Sequence, residues 1–113
     1  VNAFRIDQGL PALKISPSLS KVAEMHAKEG GKDTSMGSSC NLHSWGTDSQ
    51  SPARWTPCCY TSDHAQASCM WNKPKEITNN KFLPSGYEIS GTGYSNDDAV
   101  IQGWYKSSGH KVV

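Results

Sequence analysis

Long runs of any single kind are missing from this sequence. No apolar stretch approaches the ~18 residues that cross a membrane as a helix, so a membrane-spanning chain is not expected. Like charges do not cluster: 11 Lys and Arg and 10 Asp and Glu are scattered, for a net charge of +1. A nucleic-acid partner calls for a basic patch or stripe, so that class is excluded. No Asn-x-Ser/Thr sequon occurs, so glycosylation gives no hint of compartment. Neither an initiating Met nor a charged-then-apolar leader opens the chain at Val1, which leads us to expect a processed, trimmed or partial chain. Hydrophobic residues are scarce too, 35% of 113, and the mean hydropathy is −0.60. One domain, 1–113, is the expectation at this length, with a modest, thin core. Charged residues, at 19%, lie below the ~25% usual for soluble domains, which is not the charge-rich composition of a disordered chain.

What is present begins with cysteine. Cys40, Cys58, Cys59 and Cys69 all fall within thirty positions. An even, clustered set in a small chain with a weak core predicts two disulfides and an oxidising, secreted setting. Zinc would need C-x₂₋₄-C pairs, which this spacing does not supply. Adjacent Cys58 and Cys59 are too close to bond to each other comfortably, so Cys40 and Cys69 should each take one of them. Which takes which stays open.

Local patterns predict several helices. Val1–Gln8 reads as a short one closed by Gly9, followed by an extended linker, Leu10–Ile15. Ser16-Pro17 is a helix start, Ser as cap and Pro at the first helical position. Leu19, Val22, Ala23, His26 and Ala27 then recur on one helical face, up to a stop at Gly30-Gly31. From Lys32 to Asn72 no period holds, which predicts loops and short helices pinned by cross-links. Pro74 opens a short helix through Ile77, and Gly86–Ser90 reads as a short strand. Ser95 is placed to cap a last helix, with Asp97 and Asp98 at its positive end and Val100, Ile101, Trp104 and Tyr105 as its apolar face. Ser107-Ser108-Gly109 stops it.

No hydrolase elbow, phosphate loop, dinucleotide fingerprint or H-E-x-x-H motif occurs. The remaining chemistry sits in four histidines and Glu88. His26, on the apolar helix face, reads as a structural core histidine. His64, beside Asp63, reads as a surface polar residue. His43 is pinned between Cys40 and Trp45, and His110 follows a helix stop. Glu88 lies between Tyr87 and Ile89, where a buried carboxylate needs a partner. Spacing alone does not join these residues into a metal site.

Three pieces carry a resemblance: Asn2-Ala3-Phe4-Arg5 with Gly9-Leu10-Pro11-Ala12-Leu13, then Cys40-Asn41-Leu42-His43-Ser44-Trp45, then Gly86-Tyr87-Glu88-Ile89 with Trp104 through Gly109-His110. In this order they resemble the CAP superfamily: cysteine-rich secretory proteins, antigen 5 and pathogenesis-related proteins. The resemblance implies an α+β fold, an α-β-α sandwich around a central antiparallel sheet, here lacking its C-terminal strands. It also implies a cavity holding His43, Glu88 and His110, able to take zinc or another divalent ion. A fourth ligand of the family, a glutamate near the Trp104 helix, is missing. The function implied is a secreted module that binds rather than catalyses. Its partner would be a sterol or lipid, a divalent ion or a protein, in defence, host interaction or signalling. The aromatics Trp45, Trp55, Tyr60 and Trp71 suit a binding surface and equally suit core filling. Two other classes stay open: a metal-dependent hydrolase using the same His and Glu residues, and a purely structural disulfide-tied module.

Overall fold

The computed structural model describes residues 1–30 and 37–112. Gly31 of the expected helix stop and positions 32–36 of the irregular region lie outside the described residues. Six helices are present among the described residues: α1 (Asn2–Asp7), α2 (Pro17–Glu29), α3 (Ala67–Trp71), α4 (Lys73–Ile77), α5 (Asp97–Lys106) and α6 (Ser108–Lys111). The chain divides into two compact units, Ser16–Glu88 and the pair of segments Val1–Ile15 with Ile89–Val113.

In the unit Ser16–Glu88, α2 starts as its sequence dictates. The Ser16 hydroxyl oxygen accepts from the Leu19 amide at 3.4 Å, and Pro17 stands where a missing N–H costs nothing. Gly30 ends the helix at φ 87, a left-handed turn natural for glycine. The buried face, however, is rotated from the expected one. Val22 and His26 are buried and Met25 packs beside them, whereas Leu19, Ala23 and Ala27 are exposed. Positions 22, 25, 26 and 29 form the inner stripe, because Met25 fills more space than either alanine.

That stripe meets a core built from the cysteine-rich region: Trp45, Trp55, Cys58, Tyr60, Ala67 and Met70. Trp45 is 2% exposed and stands edge-on to Trp55, ring centres 5.2 Å apart. Three of the four aromatics that suited a binding surface are therefore core, and Trp71 alone, 37% exposed, reaches solvent. Both disulfides form, Cys40–Cys59 and Cys58–Cys69, and the adjacent pair is not bonded to itself.

The expected α-β-α sandwich is not what folds. Among the described residues there is no sheet, and extended pairing is confined to one antiparallel bridge, Trp45 with Cys58, whose amides exchange bonds at 2.8 Å. Side chains satisfy the backbone where a ladder would. The Ser44 hydroxyl accepts from the Tyr60 amide at 2.9 Å, and the Asp48 carboxylate accepts from the amides of Gln50 and Arg54. Gly86–Ser90 is likewise not a strand. Its first amide donates to the Trp71 carbonyl at 2.8 Å, and the Ser90 carbonyl accepts from the Trp104 indole at 3.1 Å. The described residues are helical with irregular connections, and no central sheet is present among them.

The unit formed by Val1–Ile15 and Ile89–Val113 explains its own opening motif. Asn2 clamps the extended linker: its amide nitrogen donates to the Leu13 carbonyl at 3.0 Å, and its oxygen accepts from the Leu13 amide at 2.9 Å. Arg5 Nε donates to the Pro11 carbonyl at 3.0 Å. A linker with no strand partner thus has its polar backbone satisfied by two side chains one helical turn apart. Asn2→Ala is expected to cost about 1–2 kcal/mol and to speed hydrogen exchange at the Leu13 amide. Unchanged exchange there would mean the clamp does not hold in solution. In the same unit α5 is capped by Asn96, whose side-chain oxygen accepts from the Ala99 amide at 2.9 Å. The expected Ser95 cap is off by one: both residue types cap, and Asn96 is the one next to the helix, with extended backbone. Phe4 packs edge-on to Tyr105 at 5.1 Å. After Ser107 the chain starts again as the single turn α6, which carries His110.

Candidate functional site

Gly86 sets the position of Glu88. A Cβ on Gly86 would collide with the Pro74 ring of α4, so only glycine lets this segment lie against that helix. Two residues later the Glu88 carboxylate meets two imidazoles. Oε1 faces His26 Nδ1 at 2.5 Å and Oε2 faces His43 Nδ1 at 2.8 Å. His43 is held in turn by its amide, which donates to the Asn41 side chain at 3.0 Å, while its ring stands edge-on to Tyr60, centres 5.2 Å apart.

Hydrogen-bond accounting fixes the charges on His26. Its Nε2 lies 2.9 Å from the Ser44 carbonyl, an acceptor only, so Nε2 carries a proton. Nδ1 faces a carboxylate, and if that is ionised Nδ1 carries one as well. Burial opposes a charge on His26. The hydrogen bond and charge of Glu88, then the Ser44 carbonyl and Glu29, outweigh it and hold the imidazole above its usual range. Burial likewise pushes the Glu88 carboxyl up, but the bonds from His26 and His43 with their charge bring it below the usual carboxylate range. The bonds within the pair therefore favour its imidazolium–carboxylate form. The His26 ring also stacks on Trp45, centres 4.2 Å apart and planes 10° from parallel, a contact that favours the cation.

His43 is the end member of this chain of groups. With Nδ1 engaged by Glu88, Nε2 is the ring nitrogen left over, and among the described residues no hydrogen-bond partner holds it. Behind it, Tyr60 shares its hydroxyl with His64 Nδ1 at 3.0 Å. His64, exposed as expected, thereby braces the wall on which His43 rests.

Of the three residues joined by the resemblance, the fold brings His43 and Glu88 together; His110 lies on α6 in the other unit. Among the described residues no group of three or more His, Cys, Asp or Glu is arranged to hold a metal ion. His26 is structural in the sense expected, buried at 5% and bonded to backbone. Sequence reasoning missed that it is also the partner Glu88 requires, 62 positions away. The signal was there: an imidazole expected to pack inward, and a carboxylate that needs a partner wherever it is buried.

No curated protein and no solved structure matches the chain. The model of the cysteine-rich secretory protein family matches residues 1–112. The matched stretch includes the Asn2 and Arg5 clamp, both cystines and the Glu88 cluster. The chain belongs to the cysteine-rich secretory protein (CAP) family.

Proposed function

We propose that the chain is a secreted binding module rather than a hydrolase, with His43 Nε2 as its contact atom and a zinc-type divalent ion as its ligand. The observation that carries this reading is Glu88 with both oxygens given to imidazole N–H groups. A carboxylate so engaged, and held below its usual range, is a poor base for activating water, and all four cysteines are spent in disulfides. The same arrangement suits metal binding at His43. Ligating histidines commonly give their second ring N–H to a carboxylate, which fixes the tautomer and aims the lone pair at the ion. Imidazole suits zinc, copper and nickel, whereas calcium wants oxygen ligands. His43 Nε2 is a single protein donor, so the ion would be loosely held with water completing its shell, not closed in as at a structural site. Disulfides, and the absence of any described helix long and apolar enough to cross a membrane, are compatible with secretion. The sterol or lipid alternative rests on the family resemblance; the depression bordered by Thr56 and Asn80 is ringed by polar side chains and lends it no support.

Calorimetric titration with Zn²⁺ near neutral pH tests the reading. Saturable, weak binding is expected, lost in His43→Ala and diminished in acid, where a ligating imidazole is protonated. Glu88→Gln should weaken it about 10–100-fold through loss of the orienting carboxylate. His110→Ala tests the wider ligand set that the resemblance implies. Zinc binding untouched by His43→Ala would end the proposal.

A further inference from the structure

Away from the histidine cluster, the unit Ser16–Glu88 carries an open depression of about 430 Å³. Its floor is closed and electrically neutral. Lys73, only 2% exposed, spends its ammonium protons on the Thr56 carbonyl at 2.5 Å, the Thr56 hydroxyl at 3.2 Å and Glu76 Oε2 at 2.6 Å. Glu76 Oε1 accepts from the Thr56 amide at 2.6 Å. This network ties the segment at Thr56 to α4. The Cys58–Cys69 disulfide joins the same segment to α3, and Cys69 lines the depression as well. Two independent ties thus hold its walls at a fixed separation, the condition under which a site binds without first ordering itself.

The rim is chemically unlike the floor. Lys75, Asn72 and Asn80 line the depression, and among the described residues none of their side chains makes a hydrogen bond or ion pair. Asn80 is held at φ 62, with its amide bonded to the Lys75 carbonyl at 2.9 Å, so the rim backbone is fixed even where its side chains are free. Since Lys73 and Glu76 cancel, Lys75 is the uncompensated charge of the lining. The unspent donors are an ammonium and two carboxamide NH₂ groups. The unspent acceptors are the two carboxamide oxygens, while the Thr56 hydroxyl, which accepts from Lys73, keeps its O–H to donate. A net positive, donor-rich rim over a rigid neutral floor complements a compact ligand made of acceptors.

We propose that this depression is a second binding site, one that takes a small oxyanion (carboxylate, sulfate or phosphate) through Lys75, Asn72 and Asn80. It is separate from the histidine cluster and does not depend on the metal reading. A free anion and an anionic group carried on a sugar share this chemistry.

The test is titration of the ¹⁵N-labelled protein with sodium sulfate against sodium chloride at constant ionic strength, following the Asn72 and Asn80 side-chain NH₂ signals. Saturable shifts at both are expected with sulfate and not with chloride. The apparent Kd should rise about tenfold or more in Lys75→Met and stay near wild type in Lys75→Arg and in His43→Ala. A sulfated disaccharide binding more tightly than inorganic sulfate assigns the site to a sugar-borne anion, and equal affinity assigns it to the free ion. Shifts linear in concentration, the same response to chloride, or an unchanged Kd in Lys75→Met overturn the proposal. Asn80→Gly serves as a second variant and should also raise the Kd, since it removes a rim donor while keeping the left-handed backbone and the buried Lys73 network.

Discussion

In mildly acid solution Glu88→Ala is expected to destabilise the unit Ser16–Glu88 by about 3–5 kcal/mol, the usual consequence of leaving a buried charge without its partner. At higher pH His26 sheds its proton and the loss is smaller. The charge left behind is the His26 imidazolium, walled by Trp45 and the Ser44 carbonyl with only Glu29 at 3.8 Å in reserve. Its pH dependence separates this cause from simple loss of packing. His26 is raised in the folded state, so its contribution is complete below its unfolded value of ~6.5 and fades as pH climbs through the folded one. Glu88 is lowered, so its contribution is present above its unfolded value of ~4.3 and fades as pH falls through the folded one. The ion pair therefore stabilises most between those limits, and the wild-type protein should be most stable in mildly acid solution. Glu88→Gln sharpens the comparison. A carboxamide can donate to Nδ1, which lets His26 sit neutral with Nε2–H still on the Ser44 carbonyl. That variant should lose most near pH 5, where the neutral ring must resist protonation, and least near pH 8.5. Denaturant titrations followed by fluorescence of the buried Trp45 and Trp55 measure both. A loss that does not vary between those pH values would refute the charged state of the pair.

How much of this was legible in the sequence depended on the range of the interaction. The Ser16-Pro17 start, the Gly30 end, the helix at Pro74 and the acidic first turn of α5 are decided within four residues, and they are where the sequence places them. The two disulfides followed from clustering, and their partners needed the fold. The inner face of α2 was misjudged because Met25 and Ala23 are both apolar, and only the shape of the tryptophan core chooses between them. The sandwich was an inference from likeness, not from period. Gly86–Ser90 has no alternation to force a strand, and Gly86 is committed to Pro74 instead. At the site, chemistry travelled further than spacing. The cost of burying Glu88 alone called for an imidazolium or a metal ion beside it, and His43 lies at hydrogen-bond distance from it. The second, His26, had been accounted for as core filling, and a residue can be both core and counter-ion.

Removing the disulfides one at a time should reverse the order that loop length alone predicts. Cys40–Cys59 spans 19 positions and Cys58–Cys69 spans 11. On the chain-entropy account each contributes about 3 kcal/mol, the longer loop about half a kcal/mol more. The surroundings differ in the opposite sense. Cys58 is 3% exposed within the tryptophan core, carries the bridge to Trp45 and has Cys69 packed against the same cluster. Cys40 and Cys59 are only half-buried. Replacing Cys58 and Cys69 by alanine therefore opens a void among Trp45, Tyr60 and Met70 and frees α3 from the segment that the Lys73 network also holds. The added cost is about 1–2 kcal/mol, which brings the total for this pair to about 4–5 kcal/mol and makes it the larger loss. Loss of both bridges should approach the whole stability of a small domain, about 5–15 kcal/mol, so the fully reduced protein should be largely unfolded at 37 °C. Unfolding curves of the two alanine pairs, beside the reduced and alkylated chain, settle the order. If the Cys40–Cys59 pair costs more, closure entropy outweighs core packing here; if neither costs as much as 1 kcal/mol, the tryptophan core holds this unit without its cross-links.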